Sequence, residues 1–193
     1  VCTSAGNVYF SSDAGTTYTV QSGAVTAASS KALNAIHFSD YEHGWAGGVT
    51  SALIQTSDGG SSWAAVTPPA AMSVRSLYAF SKERVIIGGT ADELYETWDG
   101  FVSDTEAKTY SGKSTTGVVA GLAFNNDHVG FMIHNTAAGV GTIFRSVDGG
   151  HIWDALTTPS NLGLNDIVAL DDNTAFAVGN AKSGTAVVLK VSA

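Results

Sequence analysis

Apolar residues along this chain come in short runs, broken by clusters of Gly, Asn, Asp, Ser and Thr, and the runs repeat in a fixed order. A first run recurs at 33–38, 76–80, 121–124 and 165–170. After a polar turn a second follows at 44–48, 84–88, 129–133 and 174–179. A third occupies 52–55, 93–95, 142–145 and 186–189, and a fourth stands at 18–20, 63–66 and 153–156. Runs of this length, bounded by turn residues, are strand-sized and too short for helices. No stretch holds a helical period between capping residues, so the pattern predicts an all-β fold.

One phrase returns between the third and fourth runs. It reads Ser11-Ser-Asp13-Ala-Gly15-Thr-Thr-Tyr18, Thr56-Ser-Asp58-Gly-Gly60-Ser-Ser-Trp63, Thr97-Trp-Asp99-Gly-Phe101 and Ser146-Val-Asp148-Gly-Gly150-His-Ile-Trp153. The aspartates stand 45, 41 and 49 residues apart. A recurrence at that period, with short strands in each unit, predicts a β-propeller of about five blades built from antiparallel four-stranded sheets. The blades fall at about 1–22, 33–67, 74–105, 119–159 and 164–193 of a single domain, 1–193. The first begins inside its second strand, and the last stops at Ala193, where its own aspartate would stand. Residues 104–117, rich in Thr, Ser, Gly and Lys, read as a surface loop.

The phrase suits a tight hairpin. A short Asp carboxylate accepts backbone N–H groups from the turn it begins, and Ser or Thr adds a weaker bond. Glycine permits positive φ, and the aromatic folds back beside the hairpin, contributing apolar burial of about 2 kcal/mol. These residues resemble the Asp-box, or BNR repeat, of sialidases, sortilin-type receptors and related propellers. The fuller unit, Leu33-Asn-Ala-Ile36, then His43-Gly-Trp45-Ala-Gly, then Leu53 through Trp63, is similar to the repeats of the photosystem II assembly-factor family, which also occur in bacterial surface and phage proteins. The resemblance implies that Asp13, Gly15, Tyr18, Asp58, Gly60, Trp63, Asp99, Asp148, Gly150 and Trp153 are structural, since such boxes lie away from active sites. The third copy departs from the pattern, with Phe101 at the glycine position and Asp104 at the aromatic one, which leaves its hairpin free to differ.

Composition narrows the function. Nine basic against seventeen acidic residues give a net charge of −8, which opposes a nucleic-acid groove and an anionic membrane surface. No apolar run reaches the roughly 20 residues of a membrane span. The single cysteine, Cys2, excludes a disulfide framework and a cysteine-based metal site. The chain begins at Val1, which fits either a removed leader or a piece of something longer.

Strand parity places the boxes, as loops between third and fourth strands, on one face. Loops between second and third strands, with the inter-blade links, lie on the opposite face, which is the one open to ligands. That face carries Ala, Ser, Thr and Gly, the charges Lys31, Asp92, Asp104, Glu106, Lys108, Lys113 and Lys182, and Tyr110 as its lone aromatic. A glycosidase needs two carboxyl groups facing across one pocket, and Asp104 with Glu106 or Asp92 with Glu93 read instead as surface. The sialidase resemblance implies an arginine trio, but Arg75, Arg84 and Arg145 do not converge by parity. His43 and His128 occupy matching loops of different blades, too far apart to share a metal, and His37, His134 and His151 have no sequence partner that marks a site. The expectation is therefore a non-enzymatic module with no catalytic, cofactor-binding or metal residues. Its partners are proteins within a larger virion or extracellular assembly, with neither nucleic acid nor membrane insertion. Two alternatives stand beside it: a glycan-binding or sialidase-like propeller, and an assembly factor resembling the photosystem II family. That family's contact face is basic and its ring larger.

Overall fold

A computed structural model describes residues 1–110, 113, 116–158, 162–181 and 184–192, with the side chain of Ala181 excepted. The chain folds into five short antiparallel sheets taken in sequence order. The first pairs β1 (Val8–Phe10) with β2 (Thr19–Gln21), and a short helix, α1 (Ser22–Ala27), follows. The second runs β3 (Leu33–Phe38), β4 (Gly44–Gly48), β5 (Leu53–Thr56), β6 (Ala64–Ala65). The third comprises β7 (Val74–Ala79), β8 (Val85–Gly89), β9 (Leu94–Thr97) and β10 (Glu106–Ala107). The fourth comprises β11 (Val118–Phe124), β12 (Gly130–Asn135), β13 (Gly141–Ser146) and β14 (Asp154–Ala155). The fifth has three strands, β15 (Leu162–Ala169), β16 (Thr174–Ala181) and β17 (Ala186–Ser192).

By contact density the chain divides into two units, Val1–Ile87 with Tyr95–Glu106, and Gly88–Leu94 with Ala107–Ala193. In the first unit, β4 is buried on both faces. Ala46 packs with Val8, Leu33, Ile54 and Trp63, while Trp45 packs with Leu53, Val74, Leu77 and Val85. A strand covered on both sides is the reason the second run reads Gly-Trp-Ala-Gly-Gly, without a polar position. In the second unit, Phe131, Ile133 and Ile143 pack against Leu164, Ile167, Ala175 and Ala177 of the following sheet. Within each unit, then, a sheet buries a face against its neighbour in sequence, as stacked repeats do.

Two local features were not foreseen. The first strand of the second, fourth and fifth sheets carries a bulge, between Leu33 and Ala35, Val119 and Gly121, and Leu164 and Asp166. The extra residue realigns the side chains, and at the first of these sites Asn34 donates to the Val74 carbonyl at 2.8 Å. The helix α1 lies in the link 21–32, where no helix was expected. It has no side-chain cap and no acidic first turn. Its small side chains let it lie close to the second sheet's hairpin, with Ala24 and Ala28 buried beside Trp63, so packing rather than local propensity forms it.

Candidate functional site

The four aspartate turns share one arrangement. In the second, the Thr56 hydroxyl donates to Asp58 Oδ1 at 2.8 Å, the Ser62 N–H to the same oxygen at 2.8 Å, and the Ser62 hydroxyl to Oδ2 at 2.6 Å. The Thr56 oxygen in turn accepts the Gly60 N–H at 2.9 Å. Asp13 repeats this with Ser11 and Thr17, and Ser11 accepts the Gly15 N–H at 2.7 Å. Asp148 takes the Ser146 hydroxyl and the N–H groups of His151 and Ile152, while the Gly150 N–H reaches Ser146 at 2.8 Å.

The third copy closes in the same way despite its altered residues. Asp99 accepts from Thr97, Val102, Ser103 and Asp104, and Thr97 takes the Phe101 N–H at 2.8 Å. Phe101 adopts φ 62°, where Gly60 has φ 90°, and its ring packs edge-on to Trp45 with centroids 6.1 Å apart. That contact offsets the cost of a left-handed backbone without glycine. The departure lies further on. With Asp104 in place of an aromatic, its carboxylate accepts the Trp98 N–H at 3.0 Å. The fourth strand then starts at Glu106, seven residues past Asp99, instead of six past the aspartate as at Ala64 and Asp154. Trp63 and Trp153 are buried, as an aromatic that folds back should be, whereas Tyr18 is 52% exposed.

These bonds hold the carboxyls acidic. Asp13 is lowered to about 2, first by the Thr17 hydroxyl, and Asp58 to about 2, first by the Ser62 hydroxyl. Asp99 falls further, led by the Ser103 hydroxyl. At Asp148 burial pushes upward, but the Ile152 N–H, Ser146 hydroxyl and His151 N–H outweigh it and the net shift is down. A carboxylate held ionised by its own turn is a poor general acid, since it cannot carry a proton near neutral pH.

The opposite face corrects two expectations. Asp92 and Lys108 are not exposed loop charges, because Asp92 is 0% and Lys108 2% exposed. Asp92 Oδ1 and His134 Nε2 lie 2.8 Å apart, and the Lys108 ammonium is 2.9 Å from His151 Nδ1. Tyr110 is also buried, with its ring 5.5 Å from that of His134, so it offers no stacking platform. Burial first, and the charge of Asp92 second, push its phenol upward. Residues 104–117, expected as a surface loop, thus include among their described residues the strand β10 and the buried side chains of Lys108 and Tyr110.

The other candidates are held locally. Arg84 stacks on Phe80 and Trp98, 3.9 and 4.3 Å from the ring centroids, while its Nε bonds the buried Glu96 at 2.9 Å. Arg145 donates to the Asp172 carbonyl and to Asn173, and Arg75 is exposed on β7. His37 accepts the Ala79 N–H, burial keeping its pKa low, and His43 lies 2.8 Å from Asp40. His128 sits in an exposed turn, its N–H held by Asn126. Lys31 bonds the Thr50 carbonyl and Lys113 that of Lys108. Asp104 and Glu106 are exposed, Cys2 is half-buried with its thiol pushed up by burial, and Lys182 lies outside the described residues.

Sequence reasoning missed a cleft on the first two sheets. Its volume is about 410 Å³, and Tyr9, Phe10, Tyr18, Phe38 and Trp63 contribute to its lining. These rings come from separate strands and turns, and alternation within each run was the only available signal.

No protein-family model matches the chain, and no curated protein matches it in sequence. Solved structures do match. YCF48 from Cyanidioschyzon merolae superposes with a TM-score of 0.70 at 15% identity, over 99% of this chain and 65% of that one. A structure of YCF48 bound to D1 peptide gives 0.53 at 20%, over 77% and 62%. The Niastella koreensis GH74 enzyme gives 0.75 at 13%, over 99% and 33%. The fold is a β-propeller's. Its blades are the five sheets described above, and the chain spans less than two thirds of the length of each of these neighbours. Since the propeller is shared with an enzyme as well as with YCF48, likeness of fold speaks for neither catalysis nor binding by itself. Among the described residues no helix is long and apolar enough to cross a membrane.

Proposed function

We propose that this propeller is a non-enzymatic, protein-binding module of a larger virion or extracellular assembly. The observation that carries the reading is the outer face of the last sheet. Val168, Val178 and Val188 are 59%, 43% and 71% exposed there, and Phe176, opposite Val168, is partly exposed. In the preceding sheet the positions that correspond to Phe176, Val178 and Val188 are Phe131, Ile133 and Ile143, all fully buried by the next blade. An apolar sheet face left open in this way favours a partner that covers it with apolar surface of its own. YCF48 with its bound D1 peptide is a precedent for peptide capture on this fold. The resemblance to the photosystem II assembly-factor repeats is compatible with the same kind of role.

Affinity isolation from the native source tests this. The expected result is a stoichiometric partner retained by the wild-type chain and lost with Val178→Lys and Val188→Lys. A monodisperse monomer that retains nothing, or a partner indifferent to both substitutions, overturns it.

The cleft, where Phe10, Tyr18 and Phe38 are exposed, favours a second reading, glycan binding, because exposed rings stack on sugar faces and its volume falls in the range of ligand sites. A glycan array checks it. Hits lost on Tyr18→Ala support the reading, and an array without hits removes it.

A further inference from the structure

We propose that the third aspartate turn carries a sugar-binding platform, built from Trp98 and Asp104, whose ligand is a neutral hexopyranose. This site goes beyond the protein-binding reading and is independent of the cleft that takes in Tyr18. It lies near the middle of the sequence, in the third of the five sheets.

The third turn departs from the other three in where it puts its tryptophan. In the second and fourth copies the aromatic that ends the phrase, Trp63 or Trp153, is buried. The third copy has the exposed Asp104 at that position and carries Trp98 earlier, where the others have Ser12, Ser57 and Val147. Phe101 takes over the packing, edge-on to Trp45, which leaves Trp98 with no core to fill. Its side chain is 51% exposed. Closure of the turn requires neither an indole there nor an outward carboxylate at 104, since the first two copies close with serine at the Trp98 position. Departures that local structure does not call for are expected where function sets the residue.

Both groups are held in place. One face of the indole lies on the Arg84 guanidinium, 4.3 Å from the ring centroid, and the same guanidinium is 3.9 Å from the Phe80 centroid. Arg84 Nε donates to the buried Glu96 at 2.9 Å, and the Arg84 backbone N–H donates to the Ser81 hydroxyl oxygen at 2.9 Å. The Gly100 N–H bonds the Glu83 carbonyl at 2.9 Å and ties the two turns together. Asp104 is anchored from both ends: its N–H donates to Asp99 Oδ2 at 2.8 Å, and its own Oδ2 accepts the Trp98 N–H at 3.0 Å. A flat apolar surface and a carboxylate at its backbone end are thus preset in one turn, so binding has little left to order.

A sugar ring fits this pair. The C–H face of a hexopyranose covers the outward face of an indole, while its hydroxyls donate to a carboxylate and accept from the indole N–H. Charge decides which sugar. Asp104 and the net charge of −8 oppose a sialic or uronic acid. The Arg84 cation beneath the ring opposes a second cation above it. A neutral ring meets neither penalty.

Trp98 supplies its own readout, because the other three tryptophans, Trp45, Trp63 and Trp153, are buried. Acrylamide quenching of tryptophan fluorescence in the 193-residue protein is followed during titration with β-linked tetrasaccharides of glucose, galactose, mannose and N-acetylglucosamine. Sialyllactose and tetralysine serve as the charged probes. The expected result is saturable shielding by at least one neutral sugar, with both charged probes binding at least about tenfold more weakly. Calorimetry follows the variants. Trp98→Ala should abolish binding, while Trp98→Phe, which keeps a ring over Arg84, should retain part of it and so separates lost stacking from lost folding. Asp104→Asn keeps an oxygen for the Trp98 N–H but loses the charge, and should weaken the sugar at least about threefold. Absence of shielding by every neutral sugar, tighter binding of either charged probe, or sugar binding that survives Trp98→Ala overturns the assignment. Sugar binding that depends on Tyr18 and not on Trp98 also overturns it, while leaving the cleft reading intact.

Discussion

Thr56→Val removes a hydroxyl and keeps the shape and β-branching of the side chain. In the wild-type turn that hydroxyl donates to Asp58 Oδ1 at 2.8 Å and accepts the N–H groups of Gly60 and Asp58 at 2.9 and 3.3 Å. Thr56 and Gly60 are both buried, so the Gly60 N–H cannot turn to water once its acceptor is gone. A buried donor left unsatisfied costs about 1–3 kcal/mol. The expected loss is therefore about 2 kcal/mol, or roughly 4–8 °C in Tm for a chain of this size. Ser11→Ala is the matched control. It deletes the equivalent bonds in the first turn, where Gly15 is exposed and water can replace the lost acceptor, so the cost should stay near 0.5 kcal/mol. Thermal and urea unfolding followed by far-UV circular dichroism give both values. A Thr56→Val protein within about 0.5 kcal/mol of wild type, or a Ser11→Ala protein equally destabilised, would refute the reasoning that burial decides what each turn contributes.

Three other outcomes follow from the geometry. Gly48→Ala drives a Cβ into the Ala32 carbonyl and backbone, so it should lower stability by about 1–3 kcal/mol, measurable by urea unfolding. His134→Leu removes the bond to buried Asp92 and should cost about 1–3 kcal/mol, with His134→Gln recovering part of it; equal losses would show that the bond contributes nothing. Asp13 and Asp58 are depressed to about 2 from an ordinary 3.8, so the unfolded chain takes up protons first as pH falls. Their stabilisation is complete above about pH 4 and fades between about pH 4 and pH 2. Unfolding at stepped pH should show that fall, and Asp58→Asn should flatten it.

What could be read from the sequence is what the chain encodes locally. Each box aspartate's carboxylate draws its bonds from residues within five positions, so Ser, Thr, Asp and Gly spell them directly. Even the altered third copy closes, because Thr97 and Asp99 are retained and the missing glycine is covered by packing. The burial of Asp92 depends on His134, 42 residues away, and no spacing announces it. Helix α1 likewise exists because Trp63 lies beside it. The aromatic cleft was hidden for a further reason. Parity directs attention to the face opposite the boxes, while the cleft takes Tyr18 and Trp63 from the box hairpins themselves.

The short reach of the turn bonds bears on how the chain acquires its structure. A loop that closes over four residues forms in well under a millisecond, whereas sheet-to-sheet burial joins segments tens of residues apart and waits for slower chain searches. The acidic hairpins should therefore organise first and act as seeds on which the longer-range pairings condense. In stopped-flow refolding, weakening one of them should slow the forward rate more than it speeds the reverse.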